Sequence, residues 1–329
     1  MGDAEVRALK VVVAAIVAAV AWTAPGRAQT FPSKPVKVIM PYPTGTGPDT
    51  AMRLVGEKLH AYWGQPIVIE NRPGANYWTA ADAAKKAAPD GYTLFQTENF
   101  MMGLQPHVFK KLPFDPLKDF DPVSPMYQTN FFVVVPASSP WKNIPDLIAA
   151  AKVKDGALSY GSSGVASHMH IGGAMLEGAT GVKMTHVPVK ETPQVFVSVA
   201  NGEISWAFGT ASTSGPMLRA NKVKYLAIAG PKRHPSFPDV PTVTEAGGPP
   251  NFEVKAWIAL YAPHGTPKAV IDKLNADVTR ALNEPDVRER MTAIGFMPWT
   301  GSPADLAKTL EADSKILGDV ARSQNISLD

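Results

Sequence analysis

Val36-Lys37-Val38-Ile39-Met40-Pro41-Tyr42-Pro43-Thr44-Gly45-Thr46-Gly47-Pro48-Asp49, continuing to Trp63, is the stretch that decides the fold. Val36, Val38 and Met40 alternate with Lys37 and Ile39, which predicts a short, mostly buried strand. A loop of turn formers follows. Met52, Val55, Leu59 and Trp63 then recur at three- and four-residue spacing, the apolar stripe of a helix. A strand, a glycine loop and a helix N-terminus aim unpaired N–H groups and the positive end of the helix dipole at one point, where an anion is favoured. Gly45 and Gly47 let the backbone approach a ligand closely. Pro48 suits the first helical turn, where a missing N–H costs nothing. Asp49 reads as a helix cap more than as an anion contact, since it would repel an anion. An ordinary βα turn holding only water is the competing reading of this loop.

The pattern repeats along the chain. Ile67–Glu70 and Tyr92–Gln96 read as strands flanking a helix at Tyr77–Ala88, giving β-α-β-α-β and a parallel sheet covered by helices. After a proline-rich passage around residues 112–120, Asn130–Val135 is an apolar strand. The first crossing between two domains is expected just before it. Leu158–Gly161 is a strand opening into Ser162-Ser163-Gly164-Val165-Ala166-Ser167, with a helix from His168 to Glu177. Thr185–Val187, Ile204–Phe208 and Val223–Ala229 are further strands. Helices are expected at Ile144–Lys152, Pro193–Asn201, Lys268–Asn283, Pro285–Ile294 and Ser302–Ser323, with a strand at Trp257–Ala262. The expected division is residues 29–128 plus 232–329 for one domain and residues 129–231 for the other.

Residues 1–28 look like a secretory signal. Arg7 and Lys10 precede an apolar run from Val11 to Trp22, and Ala24-Pro25-Gly26-Arg27-Ala28 supplies small residues before an expected cut after about Ala28. The apolar run is short for a bilayer span, which needs about 20 residues. The chain of 329 residues has no cysteine. That excludes disulfides, thiolate metal sites, a cysteine nucleophile and a lipid-modified cysteine tether. An exported, periplasmic, soluble monomer is expected. Without the leader the chain holds 29 basic and 27 acidic residues, a net charge of +2. That near-balance does not suggest a nucleic-acid partner.

Three loops of one design come from the two halves: Thr44–Asp49, Ser162–Ser167 and Thr210–Ser212. Open α/β sheets bind ligands beyond the carboxyl ends of their strands, so two facing domains would gather these loops around one cleft. The candidate ligand-binding residues are Tyr42, Thr44, Gly45, Thr46, Gly47 and Asp49 from the first loop. Asn99 and Phe100 follow the third strand. Ser162, Ser163, Gly164, Ser167 and His168 come from the second loop, and Thr210, Ala211 and Ser212 from the third. His168 also reads as a hydrogen-bonding residue of the helix's first turn.

Several motifs in order carry a resemblance. They are Pro41-Tyr42-Pro43 to Asp49, Glu70-Asn71-Arg72-Pro73-Gly74, Ala87-Ala88-Pro89-Asp90-Gly91-Tyr92, Lys111-Leu112-Pro113-Phe114-Asp115-Pro116, Tyr160-Gly161-Ser162 with Ser167-His168, Pro238-Asp239-Val240-Pro241-Thr242, and Ala262-Pro263-His264-Gly265-Thr266-Pro267. With them the sequence resembles the periplasmic solute-binding proteins of tripartite tricarboxylate transporters, the TctC or Bug family. The resemblance implies an α/β, type II periplasmic-binding-protein fold, two α/β domains with the ligand cleft between them. It also implies a small carboxylate ligand and membrane transporter components as partners. Departures bear on ligand identity. Thr44-Gly45-Thr46-Gly47 replaces a more glycine-rich loop, and Tyr77-Trp78 brings two aromatics. Gly209 stands where the family often has Asp, which argues against an ammonium-bearing ligand. Lys190-Glu191-Thr192 replaces a more usual Lys-Gly-Gly.

A small carboxylate is therefore expected, with an aromatic acid such as terephthalate as the finer expectation. Tyr42, Phe100, Trp206 and the Tyr77-Trp78 pair near loop ends motivate it, with core packing as the alternative role for each. A membrane-sensor partner would need the same closed form as a transporter. A hydrolase is disfavoured. Gly161-Ser162-Ser163-Gly164 lacks the Gly-x-Ser-x-Gly spacing, and Ser139-Pro140-Trp141-Lys142 has no partner motif. His168 and His170 are two apart and point apart on a helix. No catalytic residue, metal or cofactor is expected.

Overall fold

The computed structural model describes Gly2, residues 31–153 and residues 157–328. The expected leader, Gly2 aside, lies outside the described residues. In chain order the elements are β1 (Val36–Met40), α1 (Gly47–Trp63), β2 (Ile67–Asn71), α2 (Trp78–Lys85), β3 (Thr93–Glu98), a π-helical turn (Phe100–Leu104), α3 (Gln105–Val108), β4 (Phe120–Pro136), α4 (Ile144–Val153), β5 (Ser159–Ser162), α5 (His168–Thr180), β6 (Thr185–Pro188), α6 (Thr192–Ala200), β7 (Trp206–Gly209), α7 (Ala211–Arg219), β8 (Val223–Ala229), β9 (Lys255–Pro263), α8 (Lys268–Asn283), α9 (Pro285–Ala293), β10 (Met297–Pro298) and α10 (Pro303–Ser323).

The first lobe is built on β2-β1-β3, all parallel, with β9 added antiparallel to β3. The stripe predicted for α1 faces this sheet: Met52, Val55 and Leu59 are fully buried among Val36, Val38 and Met40. Gly64 stops α1 in the left-handed conformation, φ 63°, its N–H returning to His60 O. The second lobe repeats the plan. β6-β5-β7 are parallel, and β4 runs antiparallel to both β7 and β8.

The strand expected at Asn130–Val135 is the far end of a 17-residue strand that starts at Phe120. Its first half pairs with β9 and its second half with β7 and β8, so β4 belongs to both lobes. The proline-rich sequence hid it. Pro122 and Pro125 sit where the register with β9 shifts, the places in a ladder where a residue without an N–H is tolerated. Residues 232–254, expected with the first lobe, pack against the second: Val243, Phe252 and Val254 join its core. Val254 N–H donates to Ala229 O, and Phe131 N–H donates to Val254 O.

A separate apolar cluster joins the lobes. Leu104 and Val108 of the first meet Ala166, Ile171 and Ala174 of the second under Leu317 and Ala321 of α10.

Candidate functional site

The parallel strands of the second lobe end at one edge, and each hands the chain to a helix. α5 starts after Ser167, whose hydroxyl accepts from His170 N–H. α7 starts after Thr210, whose hydroxyl accepts from Thr213 N–H while the Thr213 hydroxyl takes the Thr210 N–H. α6 starts after Glu191, with no side-chain cap. Ser163, Ser167, His168, Thr192, Thr210 and Thr213 thereby line one wall of a hollow of about 530 Å³. Three helix N-termini bring the positive ends of their dipoles to that wall, with the first-turn N–H groups that their caps leave open; in α6 Pro193 has no N–H and Gln194 N–H returns to Glu191 O.

The opposite wall comes from the first lobe: Asn76, Tyr77, Glu98, Phe100, Gln105 and Phe109. The π-helical turn after β3 turns Phe100 inward. Trp78 braces the wall from behind, its indole N–H donating to Gln105 Oε1 at 2.9 Å and its ring edge-on to Phe109 at 4.9 Å. Phe131, on β4, lines the hollow where the walls meet. His168 crosses between them, 3.7 Å from the Phe100 ring by centroids, with Nε2 3.3 Å from Asn99 Oδ1. Burial pushes its imidazole down to about 3, so it is neutral at physiological pH.

Among the lining residues no Lys or Arg occurs, and Glu98 is the one carboxyl. Burial pushes Glu98 up to about 7, against the pull of the Tyr77 and Tyr42 hydroxyls.

Of the expected site residues, the structure brings Phe100, Ser163, Ser167, His168 and Thr210 to the hollow. Others of the same loops stand one layer back. Ser162 is fully buried, its hydroxyl 2.6 Å from His186 Nε2 and donating to Gly164 O. Gly164, φ 127°, makes the turn that lets Ser167 N–H reach its carbonyl. The Ser212 hydroxyl sits 2.9 Å from that of Thr210. Ala211 packs near Gly295 of the first lobe. Asn99 is buried, its amide donating to Lys255 O and accepting Trp257 N–H.

The first loop does not line the hollow: Tyr42, Thr44, Gly45, Thr46, Gly47 and Asp49 are all absent from its walls. Thr46 donates to Pro43 O and Thr44 to Asn71 Oδ1. Gly47 packs on Phe296, where a Cβ would come within 2.7 Å of the ring. Asp49 does not cap α1; it lies inside the first turn, buried, and accepts from Gly45 N–H, Asn71 Nδ2 and both Nε and Nη2 of Arg53. Burial alone would raise its carboxyl, but Arg53, the Gly45 N–H and Asn71 outweigh that and hold it below the usual range. Tyr42 is buried edge-on behind Tyr77, and Trp206 is fully buried in the second core.

A model of the tripartite tricarboxylate transporter family receptor, TctC, matches residues 51–326. The chain belongs to that family. TctC-family proteins are periplasmic binding proteins. The UPF0065 protein of the TAR-I ttuE-ttuC' intergenic region of Agrobacterium vitis is 31% identical over 303 residues, 92% of this chain and 85% of that one. BugT of Bordetella pertussis is 29% identical over 298 residues, 90% of each. Among solved structures, an R. palustris protein with adipate superposes with TM-score 0.77 at 30% identity, over 90% of this chain and 99% of that one. MatC from Rhodopseudomonas palustris with bound malate gives 0.72 at 33%, over 88% and 99%. The fold is the two-lobed α/β fold of these solute-binding proteins.

Within this TctC-family chain, the acid in the hollow is what sequence reasoning missed. The strand expected to end at Gln96 runs on to Glu98, which stands at the carboxyl edge of β3, where α/β sheets present ligand groups. Gly209 has a packing reason as well: a Cβ there would lie 2.6 Å from the Phe196 ring, so any larger residue would require that ring to move.

Proposed function

We propose that this chain captures a small carboxylate between its lobes and delivers it to the membrane components of a tripartite tricarboxylate-type transporter. One observation carries the reading: three helix N-termini with Ser163, Ser167 and Thr210 beside them converge on one hollow that no cationic side chain lines. N–H groups and hydroxyls in that arrangement hold an anion without a counter-charge. Adipate and malate in the related structures support the ligand class.

Ser163, Ser167, His168 and Thr210 are the proposed contacts, with Phe100 flanking the ligand. Tyr77, Phe100, Phe109 and Phe131 on the walls favour an aromatic acid as the finer reading. Terephthalate brings a second carboxylate, whose fate depends on what faces it. The protein acts as an exported monomer, cleaved after about Ala28. As in other hinged binders, part of the binding energy drives the lobes together.

Calorimetric titration of the mature chain against aliphatic and aromatic acids tests this. Micromolar or tighter binding, about −8 kcal/mol or better, is expected for at least one acid. Absence of heat with every acid would sink the reading. Tight binding of aliphatic acids with no response to benzoates would sink the aromatic part alone.

A further inference from the structure

The two walls of the hollow have opposite electrical character. The second-lobe wall carries three helix N-termini. The first-lobe wall carries Glu98, and among the lining residues no cation stands near it. The groups facing Glu98 are phenols: Tyr77 on its own wall, Tyr42 at the end of β1 and Tyr127 on β4, with neutral His168 on the far wall. The Tyr42 and Tyr127 hydroxyls and Gln96 Oε1 are buried and close no hydrogen bond of normal geometry. Glu98 is thus an acid backed by the Tyr77 and Tyr42 phenols, and it lines the hollow.

A ligand carboxylate held against the second lobe therefore points its far end at an acid. We propose that Glu98 sets the specificity of the cleft: it accepts a hydrogen bond from an ammonium or hydroxyl group at the ligand's far end and repels a second ionised carboxylate there. This rests on the carboxylate reading above and narrows it. The lack of an acid at Gly209 argued against an ammonium-bearing ligand; Glu98 supplies that acid from the other lobe. Two carboxylates brought together without a cation do not both stay ionised, so a dicarboxylate binds with uptake of a proton. Its affinity falls as pH rises.

The test uses the mature protein and acids that differ only at the far end. Three series serve: succinate, 4-hydroxybutyrate and 4-aminobutyrate; adipate, 6-hydroxyhexanoate and 6-aminohexanoate; terephthalate, 4-(hydroxymethyl)benzoate and 4-(aminomethyl)benzoate. By calorimetry at pH 8.5, in whichever series binds, a donor-ended acid is expected to bind at least tenfold more tightly than the dicarboxylate. The hydroxyl and ammonium arms distinguish the two donors. At pH 5.5 the gap narrows. In Glu98→Gln the dicarboxylate gains and the ammonium acid loses about tenfold.

Equal or tighter binding of the dicarboxylate by the wild-type protein at pH 8.5 overturns the proposal and leaves the carboxylate reading standing. So does a donor preference that persists unchanged in Glu98→Gln. Absence of binding by all nine acids overturns both. The wild-type order decides the matter even if the variant fails to fold.

Discussion

Asn99 Oδ1 lies 3.3 Å from His168 Nε2, and this contact joins the two lobes at the back of the hollow. The Asn99 amide is fixed by donating to Lys255 O and accepting Trp257 N–H, so the imidazole supplies the proton from Nε2. The ring also packs at a tilt against Phe100 and stacks on Phe131. His168→Ala should cost about 1–3 kcal/mol of stability in urea unfolding, from one hydrogen bond and two ring contacts. With its imidazole held down to about 3, His168 should show no titration in NMR spectra between pH 5 and 8. A midpoint near 6.5 would place the ring in solvent.

Ser163 and Thr210 test the anion wall. Ser163→Ala and Thr210→Val should each weaken ligand binding by about 1–3 kcal/mol, read by calorimetry. Unchanged affinity in both would place the ligand elsewhere.

Asp49 and Thr46 separate scaffold from site. Asp49→Ala leaves Arg53 and the Gly45 N–H without their buried partner and should destabilise the fold by about 2–4 kcal/mol. Thr46→Ala loses only a hydrogen bond to Pro43 O and should cost under about 1 kcal/mol in stability, with affinity unchanged. A loss of affinity on Thr46→Ala would bring the loop back into the site.

Glu98 and His170 bend the pH–stability curve in opposite senses. The Glu98 carboxyl is raised by burial to about 7 in the folded chain, so the stability it lends is complete below about 4.5 and lost as pH rises to 7. His170 is lowered to about 4 by burial and by neighbouring His186; its contribution is complete above about 6.5 and lost as pH falls to 4. Melting temperatures of the unliganded protein should show Glu98→Gln gaining on the wild type as pH climbs from 4.5 to 7. The gain should reach about 2 kcal/mol once solvent on the open side of Glu98 is allowed for. A constant offset between the two curves would contradict the raised carboxyl.

Much of the fold was legible because periodicity reports burial. The stripe Met52, Val55, Leu59 and the span Lys268–Asn283 follow from spacing alone, since a helix face against a sheet has few other solutions. The loops at Ser163–His168 and Thr210 were legible because a strand that delivers small polar residues to a helix start reads the same in any α/β sheet. The loop at Thr44–Gly47 shares that local signature, yet its hydroxyls close on Pro43 and Asn71, partners that only the folded chain brings near. Trp206 and Phe100 look alike as aromatics near strand ends; a fully buried position in the second core separates one from the other. Glu98 escaped because its meaning depends on how far β3 runs and on what faces it across the hollow. Neither is written in its neighbours in sequence.

β4 has a consequence beyond the cleft. A single ribbon of backbone is stitched into both sheets, and its ladder bonds oppose any sliding of one half past the other. Cutting the chain near Thr129 would leave each piece with a raw, unzipped border, prone to sticking to its own kind. The two halves must therefore be made, folded and inherited as one object.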